Sequence, residues 1–113
     1  MFEYCDNATM STIKMSNSIQ NLRYTFANCR NITAQPVCGP NVTDMEWTYS
    51  NCLKMTGSPV CGTKVVSLWN TYFNCRNLTG TAACGNNVTY MHGTYRNCYN
   101  LTKSICGPNV TDM

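Results

Sequence analysis

The sequence predicts an α/β solenoid with one short parallel strand and one short helical segment in every 23-residue repeat. Three observations carry the prediction. Cys29, Cys52, Cys75 and Cys98 stand 23 residues apart, each directly behind an asparagine (Asn28, Asn51, Asn74, Asn97). A second series, Cys38, Cys61, Cys84 and Cys106, runs at 23, 23 and 22, each followed by glycine. Apolar residues then recur in fixed columns between them. A constant period in this range marks a chain whose repeats are single structural units stacked on one another.

The repeats align without gaps over most of the chain. Residues 1–14 match part of a repeat, 15–37, 38–60, 61–83 and 84–105 form four repeats, and 106–113 open a fifth, so residues 1–113 read as a single array. Asp44 to Cys52 fits a short helix with Thr43 or Asp44 as N-cap. Within it, Met45, Tyr49 and Cys52 fall at i, i+4, i+7 beside Thr48, forming an inward stripe. Met55-Thr56 and its equivalents are too short for a helix and suit a brief strand. Gly57-Ser58-Pro59 and Cys61-Gly62 mark turns. Successive strands would pair in parallel, about 4.8 Å apart.

The columns predict the core. One holds Ile19, Val42, Val65, Val88 and Val110, and another Leu22, Met45, Leu68, Met91 and Met113. Phe26, Tyr49, Tyr72 and Tyr95 form an aromatic column, Ile32, Met55, Leu78 and Leu101 an aliphatic one, and Val37, Val60, Ala83 and Ile105 close the repeat. Thr25, Thr48, Thr71 and Thr94, and the asparagine before cysteine, are polar yet constant. Hydrogen bonding to the turn backbone or to the next coil would explain them.

Composition bounds the function. Charged residues make up only 12% of the 113, about half the usual share, so Asn, Thr, Ser, Gly and Tyr must carry much of the surface. The net charge is +3, and the arginines are spread along the repeats without a dense basic run, which argues against nucleic acid. No apolar run reaches the length of a membrane span, and the first residues lack the layout of a signal peptide.

Asn41-Val42-Thr43-Asp44-Met45 and Asn109-Val110-Thr111-Asp112-Met113, together with Met1-Phe2 and Asn74-Cys75-Arg76-Asn77-Leu78-Thr79, make a recognisable pattern. It resembles the BspA-like class of leucine-rich repeats, closest to the variant of bacterial surface proteins and gut-phage proteins. The resemblance recurs in every repeat. It implies a leucine-rich-repeat-type solenoid and a non-catalytic adhesion or recognition module on a cell surface, virion surface or other extracellular site. The Cys-Gly series departs from the family pattern.

Nine cysteines admit three readings. Metal binding needs converging ligands, usually C-x-x-C pairs; none occurs, His92 is the sole histidine, and no metal or other cofactor is implied. Bridges along a ladder would join side chains about 4.8 Å apart, wider than the usual Cβ separation, although one within a repeat, such as Cys52 to Cys61, is feasible. Buried thiols packed as small apolar residues are the third reading and the favoured one. Cys-His catalysis would need one thiolate singled out beside His92, whereas the cysteines recur with the repeat. N-x-T sequons occur at Asn7, Asn31, Asn41, Asn77, Asn87, Asn100 and Asn109. They are glycan acceptors in a glycosylating secretory route, or simply structural repeat positions.

Function is left to the columns that vary. Positions 23, 27 and 30 and their equivalents form an i, i+4, i+7 stripe about 100° from the core stripe of the expected helix. It presents Arg23 and Arg30, then Trp69, Phe73 and Arg76, then His92, Arg96 and Tyr99, with Tyr24 and Trp47 in the adjoining column. Arg, Trp and Tyr dominate interface energetics, so this outer helical face is the expected binding surface for a protein or carbohydrate ligand. An ordinary solvated surface is the competing reading. A second class of function is a self-assembling structural fibre unit, since neither end shows a polar capping repeat and the pattern could continue by end-to-end self-association. The cysteine readings separate simply: nine reactive thiols on denaturation without reductant are expected, and fewer would reveal bridges.

Overall fold

Two short parallel strands are the only regular secondary structure among the described residues. The computed structural model describes residues 11–105 and 109–111. Strand β1 spans Gly80–Ala83 and β2 spans Leu101–Ile105. They pair in parallel, with a register shift between Gly80 and Thr81, next to the one repeat that is a residue short. The body has a radius of gyration of 12.5 Å and extents of 38 × 32 × 18 Å, close to the roughly 13 Å expected of a globular chain of this length. The expected leucine-rich-repeat-type α/β solenoid is therefore corrected. There is no helix in any 23-residue segment among the described residues, and the molecule is a compact domain of mostly non-regular backbone.

The helix expected at Asp44–Cys52 fails for a backbone reason. Trp47 and Asn51 have φ of 59° and 62°, whereas an α-helix needs about −63° throughout. The same signature recurs at Tyr24 and Asn28, and at Asn70 and Asn74. Amides then alternate between two destinations. Thr48, Ser50 and Cys52 donate to carbonyls three residues back (Met45, Trp47, Tyr49) at 3.1–3.3 Å. Met45, Trp47, Tyr49 and Asn51 donate instead to Ser67, Trp69, Thr71 and Phe73 of the following segment at 2.7–3.1 Å. A helix would have taken both sets. Asp44, expected as an N-cap, accepts from the Glu46 amide at 2.9 Å, an Asx-turn.

The strand expected in every repeat at Met55-Thr56 and its equivalents is also corrected. Among the described residues it forms in two segments only: β2 begins on Leu101-Thr102, the equivalents of Met55-Thr56, whereas β1 begins just past Leu78-Thr79. Ala82 in β1 has Pro36 and Pro59 as its equivalents, and proline has no N–H for a ladder. Pairing before them survives as single bonds, Thr56 N–H to Ala34 O at 3.3 Å and Thr79 N–H to Gly57 O at 2.8 Å.

Burial follows most of the apolar columns. Leu22, Met45, Leu68 and Met91 are buried, as are Val42, Val65 and Val88, and Ile32, Met55 and Leu78. Phe26, Tyr49, Tyr72 and Tyr95 stack with centroids 5.5, 5.6 and 6.0 Å apart and planes within 11°. The closing column is an exception: Val60 is exposed, whereas the neighbouring Pro36 and Pro59 are buried.

Side chains satisfy the backbone inside this core. Tyr72 Oη accepts from Val60 N–H at 3.1 Å and donates to Val60 O at 2.6 Å, and Tyr49 does the same at Val37. Thr71 and Thr94 hydroxyls donate at 2.7 Å to Met45 and Leu68 carbonyls one segment back. The asparagines in the left-handed position form an amide ladder. Asn51 donates to Asn28, Asn74 to Asn51 and Asn97 to Asn74, each at 2.7 Å. Asparagine tolerates positive φ better than other residues with a Cβ, so one residue meets two demands. Asn74→Ala should destabilise by about 2–3 kcal/mol in urea unfolding. Asn74→Gly, which loses the amide but accepts the backbone angle, should cost about 1 kcal/mol less; equal losses would mean that the left-handed angle contributes nothing.

Candidate functional site

The variable columns do not form one stripe. Without a helix the i, i+4, i+7 spacing has no common face, and Ala27 and Ser50 of the middle column are buried at 1% exposure each. Ser50 Oγ has no hydrogen-bond partner among the described residues. The expected outer helical face is corrected accordingly. What the structure brings together instead are pairs across successive segments.

Tyr24 stacks on Trp47, with centroids 5.8 Å apart and planes at 11°. Trp69 meets His92 edge-on at 6.3 Å. The Arg96 guanidinium lies 5.9 Å from the centre of the Phe73 ring, a cation–π contact. Tyr99 is 70% exposed and donates to Asn97 Oδ1 at 3.1 Å. Arg30, Arg76, His92 and Arg96 are exposed, and Trp47 and Phe73 are half-buried. Arg23 is neutralised by Glu46 at 3.0 Å and lies 3.9 Å from Asp44. Two exposed apolar residues escaped the sequence reading, Val66 and Tyr90. Each breaks a polar column (Gln20, Thr43, Thr89 and Asn21, Asp44, Ser67), a signal that was there to be used.

Backbone strain coincides with this surface. Tyr24, Trp47, Asn70 and Gly93 are equivalent and all have φ between 52° and 67°. Glycine suits that angle, and a Cβ at Gly93 would collide with Asn70 Oδ1. Asparagine suits it nearly as well, but a bulky aromatic there costs about 1–2 kcal/mol. The first two segments nonetheless hold a Tyr and a Trp.

The cysteines are arranged for structure. The seven described ones carry thiols. Cys52, Cys75 and Cys98 donate to the Phe26, Tyr49 and Tyr72 carbonyls one segment back at 3.1, 3.0 and 2.9 Å. Burial, reinforced by neighbouring Cys29, pushes the Cys52 thiol up to about 12, and burial raises Cys98 to about 11. Cys75 is raised as well, by burial first. Thiolate is the reactive form, so these thiols are quenched at neutral pH. No group of three or more His, Cys, Asp or Glu able to hold a metal exists among the described residues, and no described helix is long and apolar enough to cross a membrane.

The sequon asparagines are engaged in packing. Nδ2 of Asn41, Asn87, Asn100 and Asn109 donates to the Asn17, Thr63, Arg76 and Asn86 carbonyls at 2.7–2.9 Å. That nitrogen is the atom a glycan would join. Asn31 also has a partner, Asn77 is exposed, and Asn7 lies outside the described residues.

No known family, curated protein or solved structure matches the chain. The leucine-rich-repeat resemblance thus has no relative behind it, and the adhesive and phage-structural attributes that came with it are withdrawn.

The raised thiols make stability depend on pH. Unfolded thiols titrate near 9.0 and native Cys52 near 12. Between those values the unfolded chain holds fewer protons, so stability is fully present below about pH 9 and falls as pH rises towards the native value. The urea midpoint should be level to about pH 8.5 and then drop, each fully buried thiol removing about 1.4 kcal/mol per pH unit. Cys52→Ala should flatten that slope; an unchanged slope would mean that Cys52 does not titrate this way.

Proposed function

We propose that the protein is a non-enzymatic recognition module that binds a protein or glycan through its exposed aromatic and arginine side chains. The supporting observation is the retention of Tyr24 and Trp47 at left-handed positions. Equivalent positions in later segments use Asn70 and Gly93, which fit the same angle at lower cost. A stacked, partly exposed aromatic pair held at positions that favour Asn or Gly is consistent with a binding role. Trp69 at 45% exposure and Tyr99 at 70% extend the surface. The quenched thiols and their carbonyl partners favour a structural role for the cysteines over nucleophilic chemistry.

The test pairs the wild-type chain with Trp69→Ala/Phe73→Ala/Arg76→Ala, first matched by urea midpoint. Both are applied to an immobilised glycan array and a displayed random-peptide library. At least one ligand should bind the wild type and lose about tenfold or more in the triple variant. Equal binding by the variant, no selected ligand, or filaments in place of a monodisperse protein would overturn the proposal.

A further inference from the structure

We propose that the corner turn carrying Arg30, Lys54 and Arg76 docks an acidic protein segment, one rich in Asp and Glu. This rests on the recognition reading and names the partner's chemistry. Residues 30–31, 53–54, 76–77 and 99–100 form the same turn in successive segments. Each is closed alike, by the amides of Ile32, Met55, Leu78 and Leu101 to the cysteine three residues back at 3.3–3.4 Å. The Asn100 side-chain Nδ2 donates to the Arg76 carbonyl at 2.9 Å, which ties that turn to the one before it. Arg30, Lys54 and Arg76 therefore stand on three consecutive segments, Arg30 and Arg76 at one position of the turn and Lys54 one residue further on. All three are exposed.

Among the described residues none of these cations has an ion pair. From Trp47 to Thr111 the chain contains no Asp or Glu, while Lys54, Lys64, Arg76, Arg96 and Lys103 fall in that stretch. The ion pairs among the described residues belong to Arg23, with Asp44 and Glu46. The column that supplies Glu46 continues as Trp69 and His92, so the device that neutralises the first arginine is replaced by aromatics further on. Like charges on neighbouring turns repel, and the repulsion is relieved when an anion arrives. Tyr99 continues the Arg30 and Arg76 column, so an aromatic flanks the cation row.

The chemistry favours carboxylates on a protein over a polyanion such as nucleic acid. Guanidinium forks take carboxylates two bonds at a time. Arginine flanked by Trp and Tyr is the composition of protein interfaces. Three cations in a chain of net charge +3 are too few for a phosphate backbone. In an extended acidic segment, carboxylates on one side recur every second residue, about 6.8 Å apart, within reach of long Arg and Lys side chains.

A labelled poly-glutamate peptide is the probe, with the full chain. Binding is expected at about 50 mM salt and should weaken about tenfold by about 300 mM. Arg30→Gln/Lys54→Gln/Arg76→Gln should lose about tenfold or more, whereas Lys14→Gln/Lys64→Gln/Lys103→Gln, an equal charge change elsewhere, should stay within about twofold. Equal loss in both variants would mean general attraction to net charge and overturn the proposal. So would capture of a sulfated polysaccharide with no binding of poly-glutamate. If poly-glutamate is ignored while ligands selected above still depend on Trp69, Phe73 and Arg76, this inference fails and the recognition reading stands.

Discussion

Everything in this molecule hangs on how each backbone amide between the Leu22 and Asn97 columns is shared. One amide closes a tight turn within its own segment, and the next reaches into the following segment. The alternation needs the chain to turn back on itself repeatedly within a few residues, and the left-handed residues do that. Asn28, Asn51, Asn74 and Asn97 lie at φ of 62–63° and tie their side chains into a ladder that donates in the opposite sense to the backbone bonds, each segment to the one before it. The 23-residue period is the register condition of this sharing. A segment one residue out of step breaks that register, and the one shortened repeat coincides with a shifted pairing in the only sheet among the described residues.

Sharing amides across segments leaves inward carbonyls such as those of Met45, Tyr49 and Leu68 with one amide each and a second acceptor site inside a closely packed core. The chain meets that demand with short donors: threonine hydroxyls, tyrosine hydroxyls and thiols, each aimed at a carbonyl one segment back or across the turn. Residue types that elsewhere suggest catalysis are here parts of the backbone's hydrogen-bond inventory. The Phe26, Tyr49 and Tyr72 carbonyls each accept a backbone amide as well, so the thiol supplies a second donor to the same oxygen; cysteine in these columns does more than fill space, and alanine is not its equivalent. The same interaction removes its reactivity, because a desolvated thiol that must donate its proton is held in the protonated form.

Much of the core was legible because it depends only on which residues are apolar and how often they recur. Met45, Tyr49 and Cys52 were placed inward correctly, but for a wrong reason. Their i, i+4, i+7 spacing also arises when tight turns follow one another, and period alone does not separate the two. The asparagine before each cysteine was the clue to the left-handed angle, and its constancy was read only as a hydrogen-bond requirement. Val60 was assigned inside because it is apolar, yet Pro59 beside it takes that place. The variable columns were found by their departures from the repeat, which located Trp69, Arg76 and Tyr99. Val66 and Tyr90 depart in the same way. The long stretch without acid was equally visible, but only the structure shows which of its cations share a corner.

The recognition reading turns on a conflict between local and global preference. At the left-handed position of the 24, 47, 70, 93 column, Asn70 and Gly93 agree with the backbone, whereas Tyr24 and Trp47 oppose it. The register of the segments demands the angle; nothing in the register demands an aromatic. Stacking returns about 0.5–1.5 kcal/mol for the pair, which does not outweigh about 1–2 kcal/mol of backbone cost at each of two residues. The remainder needs another source. Burial supplies part of it for Trp47, which is half-covered, and less for Tyr24, which is 36% exposed. A partner that covers both rings would supply the rest, and the same covering would bring carboxylates towards cations that have no ion pair among the described residues. Aromatics held against the backbone, and cations with no ion pair among the described residues, both place interactions on the surface that a second molecule can complete.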